Sequence, residues 1–196
     1  MILIKRALFG VVCSLLMAPL VQADCQVSLS QPTVSYGKIR VSDIANKNKQ
    51  WNNLSQRQVT LTAYCPDAQK MALFFDGKAG EQKLFTFGDN SRLLVVASDA
   101  TLVGNPVQLN RISDAGVFIP NGQQADKIAA RAGEGIVPVS SGTVVSGKQF
   151  TMMLTIEPLL NHNDLSLRDS RDIDSNIQVR LERPCTRFCV NAFSQK

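Results

Sequence analysis

Five cysteines and a single histidine are the residues of this 196-residue chain with the most chemistry to offer. Cys13 sits in an apolar N-terminal run, leaving Cys25, Cys65, Cys185 and Cys189 downstream. Four thiols can hold a zinc ion or close two disulfides. Zinc is poorly served, because the C-x3-C spacing of Cys185 and Cys189 stands alone and His162 is far from it in sequence. His162 lies between Asn161 and Asn163 in a polar stretch, which reads as a surface residue rather than a general base. There is no G-x-S-x-G elbow and no glycine-rich phosphate loop. Asp164, Asp169, Asp172 and Asp174 could attract calcium, but they lack the alternating spacing with a closing glutamate and are interrupted by Arg168 and Arg171. Trp51 reads as a lid over one end of a core, with ligand contact as the competing role. The chemistry this inventory favours is the disulfide, with no enzyme activity, metal or cofactor.

The N-terminus supports that reading. Lys5 and Arg6 precede an apolar stretch over 7–16, and Val21-Gln22-Ala23 offers a cleavage site, so 1–23 reads as a secretory signal. The apolar stretch is too short to span a bilayer. Asp24 before Cys25 argues against lipidation. Export places the remaining cysteines where disulfides persist. Four cysteines allow three pairings; Cys25–Cys65 with Cys185–Cys189 keeps each pair within its own region of the chain. Loss of Lys5 and Arg6 lowers the formal charge from +5 to +3, with no basic run, which gives no case for nucleic acid.

The elements that must carry these cysteines have a period of two. Val59, Leu61 and Ala63 alternate with Thr60, Thr62 and Tyr64; Phe150, Met152, Leu154 and Ile156 alternate with Thr151, Met153 and Thr155; Ile177, Val179 and Leu181 alternate with Gln178, Arg180 and Glu182. Each predicts a strand with one face on a core. Further strands are predicted over 26–29, 33–41, 71–75, 83–87, 92–97, 107–112, 116–119 and 136–139, separated by Gly-, Asn- and Asp-rich turns. The stretch 124–132 places Ile128, Ala129 and Ala132 at helical spacing ahead of Gly133, predicting a short helix or a loop across one end. Residues 161–176 are polar and predict a long exposed loop. The whole reads as an all-β sandwich, with a barrel as the alternative, in one domain over 24–182 followed by a tail over 183–196.

In this context the chain resembles the pilin subunits of chaperone–usher fimbriae. Cys25 follows close behind the signal. Thr33-Val34-Ser35-Tyr36-Gly37-Lys38-Ile39-Arg40 is similar to the family's first-strand pattern, Val59-Thr60-Leu61-Thr62-Ala63-Tyr64-Cys65 to its second strand ending in cysteine, and 174–182 to its last strand. The resemblance implies an immunoglobulin-like Greek-key sandwich that lacks its final strand, completed first by a periplasmic chaperone and then by a neighbouring fimbrial subunit through strand addition. It implies passage through an outer-membrane usher to a cell-surface fimbria, with a surface receptor as a further partner. The acceptor groove would be lined by Phe150, Met152, Leu154, Ile177, Val179 and Leu181.

Two features depart from the family pattern. Only Asp24 separates the expected cleavage site from Cys25, whereas a donor strand needs about five residues; this predicts a terminal, tip-type subunit that accepts a strand without giving one. The tail also carries an alternation of Phe188, Val190 and Ala192 that could supply a strand of its own, which makes a self-completed, free-standing binding module the alternative. A Cys185–Cys189 bridge would require a turn at that point, since bridged Cα atoms lie within about 7 Å.

Overall fold

A computed structural model describes residues 24–37, 50–165 and 173–184. The expected signal, the tail from Cys185 onward and the Cys185–Cys189 pairing lie outside these residues, as do Asp169 and Asp172.

Two antiparallel sheets face each other. Strands β1 (Gln26–Leu29), β2 (Trp51–Asn53), β3 (Arg57–Lys70), β5 (Phe85–Phe87), β6 (Ser91–Leu102), β7 (Asn105–Pro106), β10 (Ile128–Ala129) and β13 (Ser146–Asn161) form the first. Strands β4 (Ala72–Gly77), β8 (Gln108–Ile112), β9 (Asn121–Ala125), β11 (Glu134–Ser140), β12 (Thr143–Val144) and β14 (Ile177–Glu182) form the second. The order β1-β3-β13-β6-β10 faces the order β14-β4-β11-β8-β9. The fold is an all-β sandwich, as the alternating pattern predicts. A 3-10 turn spans Glu81–Lys83 and one helical turn, α1, spans His162–Leu165.

The alternating residues make the core. Leu61, Ala63 and Cys65 from β3, Leu73 and Phe75 from β4, and Phe150 and Met152 from β13 are all 0% exposed and belong to one cluster between the sheets. The second sheet is also apolar on its outer face. Ala72, Phe74, Ile112, Val137, Val139 and Val144 form a smaller cluster there, with Phe118 packed against it. Strand β11 is therefore buried on both faces, and its Ile136-Val137-Pro138-Val139 run reads as continuous rather than alternating.

Several expected elements take a different form. The 124–132 stretch is not helical: Ile128, Ala130 and Ala132 are buried in alternation, which is a strand period. The chain leaves the second sheet as β9, enters the first as β10, and returns as β11. Ala130 N donates to Val95 O, and Gly133 N donates to Phe75 O, each at 2.8 Å. This strand switch closes one flank of the sandwich. Residues 116–119 form no strand; Phe118 turns onto the outer cluster, while Val117 and Ile119 stay exposed. The described part of the 33–41 stretch is extended without a ladder, and the Tyr36 hydroxyl donates to Ile156 O at 3.2 Å. Burial pushes the Tyr36 phenol pKa up, against the opposing pull of the Arg57 charge. The polar stretch from Asn161 starts within the fold: Asn161 ends β13 and is buried.

Candidate functional site

The flank opposite the strand switch is built differently. Its two edges are β1, paired only with β3 among the described residues, and β14, paired only with β4. Strand β1 is fixed by a disulfide. The ladder that sets Gln26 against Tyr64 and Val27 against Ala63 brings Cys25 opposite Cys65. These two are bonded, with Cα atoms 4.2 Å apart, close to the spacing of a non-hydrogen-bonded antiparallel pair. This is the pairing expected from the sequence. Strand β14 is fixed at its start by Gly88, whose N–H donates to Asp174 O at 3.0 Å. Gly88 has φ +67, and a Cβ there would lie 2.9 Å from Ile173, so position and conformation both call for glycine. At the other end of β14, Arg183 reaches Asp24 at 4.0 Å and the Cys25 sulfur at 3.8 Å.

Burial changes abruptly along this flank. Leu61 and Ala63 are 0% exposed, yet Leu29 and Val27, directly opposite them on β1, are only partly buried. Leu73 and Phe75 are likewise 0% exposed, while Leu181 and Val179 beside them on β14 are partly buried. Cys25 and Ile177 continue the same two rows. Among the described residues, two facing rows of apolar side chains thus lean on the main cluster while staying only partly buried. The outward residues of the same strands, Gln26 and Ser28 on one and Gln178 and Arg180 on the other, are polar and exposed.

The six groove residues expected from the sequence fall into two groups. Ile177, Val179 and Leu181 lie on the edge strand and face this seam. Phe150, Met152 and Leu154 lie on β13, which is paired on both sides by β3 and β6, and they are at most 4% exposed. The residues of β1 that face Ile177, Val179 and Leu181 are Cys25, Val27 and Leu29. The strand expected over 26–29, with Val27 and Leu29 alternating behind Cys25, was the available signal for them.

No family model matches the chain. It is 28% identical over 182 residues to the putative uncharacterized protein YhcE of Escherichia coli (strain K12), spanning 91% of this chain and 98% of that protein. The similarity covers nearly the whole length of both proteins.

The other residues considered for chemistry have structural partners. Asp164 accepts hydrogen bonds from the Asn90 side chain at 2.7 Å, from the Asn90 N–H at 3.2 Å and from the Ser91 hydroxyl, which fixes α1 to the start of β6. His162 is exposed, and its backbone N–H donates to Gln50 O at 2.9 Å. Trp51 lies in β2 with the Arg92 guanidinium stacked 4.5 Å above its ring, and Arg92 in turn pairs with Glu81.

Proposed function

We propose that this chain is a subunit of a chaperone–usher surface fibre that accepts a strand from a neighbour along the seam between β1 and β14. The observation that carries the reading is the drop in burial from β3 and β4 to the two edge strands, over side chains that are otherwise core. An extended segment laid in the seam would pair its backbone with an edge strand and place alternate side chains on Val27, Leu29, Val179 and Leu181. Completing the burial of each partly buried side chain contributes only part of the ~1.5–3 kcal/mol of full burial. The sandwich is then immunoglobulin-like with its last strand supplied from outside. A periplasmic chaperone fills the seam first, the outer-membrane usher passes the subunit outward, and a neighbouring subunit takes the chaperone's place. The chain's role is that of a structural or tip subunit, with contact to a surface receptor as an added role.

The test is expression of the mature chain with and without a periplasmic chaperone, followed by addition of a peptide with alternating branched aliphatic residues. The expected result is aggregation or proteolysis of the chain alone and rescue by either partner, with new amide exchange protection on β14. A chain that is a stable monomer alone, and loses that stability when residues 187–196 are deleted, would instead make it a self-completed binding module.

A further inference from the structure

A second site lies on the outer face of the second sheet, away from the seam. A cavity of about 530 Å³ is lined by Asn110, Pro120, Gly122, Gln123, Gln124 and Gly142. It is open to solvent, a shallow depression rather than an enclosed pocket. Its lining includes no charged residue. Asn110 is 3% exposed on a sheet face otherwise made of Ile112, Val137 and Val139. It is held from both ends, with its Oδ1 accepting from Arg111 N at 2.7 Å and its Nδ2 donating to Gly122 O at 3.2 Å.

Gln124 is held by a relay. The Asp126 carboxylate accepts from Gln108 Nε2 at 3.1 Å, so the Gln108 Oε1 is left to accept from Gln124 Nε2. The Gln124 Oε1 then accepts from the Gly142 N–H at 2.7 Å. A carboxylate can only accept, so the relay fixes which end of each amide is oxygen and which is nitrogen. Each amide nitrogen of Asn110 and Gln124 retains a second N–H, and each oxygen a second lone pair. Gln123, exposed, adds a third amide. Gly122 and Gly142, at φ +97 and +77, line the depression without side chains of their own. Pro120 gives the rim a rigid apolar face, which continues into Ile119, 70% exposed.

We infer that this cavity binds an uncharged saccharide. Oriented amides offer a donor and an acceptor side by side, which matches neighbouring hydroxyls on a sugar ring. The apolar rim suits the ring's C–H face. The lack of charged lining residues disfavours phosphate, carboxylate and ammonium ligands, which bind through charge-assisted contacts. This inference does not rest on strand docking at the seam.

The test is a titration of the 15N-labelled full chain, alone or strand-complemented, whichever is monomeric. The probes are glucose, galactose, mannose and N-acetylglucosamine, with inorganic phosphate and N-acetylneuraminate as charged controls. Sugars are taken to about 50 mM, because a shallow site with few contacts binds weakly. The expected result is saturable shifts of the Asn110, Gln123 and Gln124 side-chain amides and the Gly142 N–H with a neutral sugar, and none with phosphate. Gln123→Ala should weaken that binding about fivefold, the effect of one hydrogen bond. Gly142→Asn, which tolerates positive φ but adds a side chain at the mouth, should weaken it further with an unchanged thermal midpoint. The inference is overturned if no neutral sugar shifts these signals, if phosphate shifts them equally, or if both variants bind as the parent does.

Discussion

Removing the Cys25–Cys65 bridge is the perturbation whose size follows most directly from the geometry. The bridge closes a loop with a sequence separation of 40. On the chain-entropy model, opening such a loop costs about 4 kcal/mol through the unfolded state. In a chain of this size each kcal/mol moves the thermal midpoint by roughly 2–4 °C, so reduction should lower it by about 8–16 °C. The loss should also be local. Only four residues of β1 are paired with β3, and the bridge at Cys25 anchors their leading end. On reduction, amide exchange should approach that of an unstructured chain at Gln26 and Ser28, whose N–H groups face β3, while Met152 and Leu154 in the doubly paired β13 lose only the protection that the lower global stability removes. The measurement is urea unfolding with residue-level exchange, oxidised against reduced, at one fixed concentration of seam-filling peptide so that mass action is equal in both. Cys25→Ala with Cys65→Ala should repeat the result without reductant. A stability difference below about 1 kcal/mol would refute the loop-closure reasoning, and unchanged exchange at Ser28 would refute the anchoring of β1.

Two further substitutions test local features. Val103 and Gly104 form the β6–β7 turn with φ of 50° and 79°, a left-handed geometry unfavourable for a β-branched residue, and Val103 is 58% exposed. Val103→Asn should stabilise the chain by about 1 kcal/mol, raising the thermal midpoint in calorimetry; an unchanged or lower midpoint contradicts the turn assignment. Glu134 is 7% exposed and pairs with Lys83 at 2.9 Å and Arg111 at 3.6 Å. Glu134→Ala should cost about 2 kcal/mol by urea unfolding, because it strips both cations of their partner, whereas Lys83→Ala should cost less than about 1 kcal/mol because that ammonium is largely in water; the reverse order would count against Glu134 as the centre of the network.

How much of this was legible in the sequence depended on whether a residue's neighbours were close in the chain. The alternations in β3, β13 and β14 fixed those strands, because a half-buried strand writes its period into its own residues. The pairing that kept Cys25 and Cys65 together in one region of the chain is the bridge found in the structure. The strand switch at 121–134 was hidden. Ile128, Ala129 and Ala132 satisfy a helical period as well as Ile128, Ala130 and Ala132 satisfy a strand period, and only the ladders to Val96 and Ala97 decide between them. Residues 116–119 alternate as a strand does, yet they meet no ladder among the described residues, and Phe118 packs on a sheet face whose apolar character came from β4 and β11. The seam was half legible: β14 announced itself, but β1 supplies its opposing row from four residues, and the two rows face each other only once both sheets are in place.

The asymmetry between the two flanks has an energetic reading. An open sheet edge is a hazard that proteins usually blunt with charges, proline or cover. Strand β14 carries some of these devices, with Arg180 paired to Asp76 and Glu182 on its outward side and Pro184 just beyond it. They guard the face that looks into solvent. They do nothing for the inward row of Ile177, Val179 and Leu181, which meets Cys25, Val27 and Leu29 across the seam. At the other flank, the chain uses 121–134 to lace the sheets together and bury Ile128, Ala130 and Ala132. Among the described residues, the chain thus covers one side of its core with its own backbone and leaves partly buried apolar rows on the other. Charges on the outward side of β14 hinder edge-to-edge stacking of whole sheets, whereas a single extended segment entering from the side avoids them and meets the inward apolar rows and backbone edges, with the Arg183–Asp24 contact at one end. A charge introduced on the inward row, as in Val179→Asp, should therefore abolish strand capture, while Gln178→Asp one residue away should leave it within about twofold, well under the tenfold that 1.4 kcal/mol would produce; equal effects from the two would show that the seam is not the docking edge.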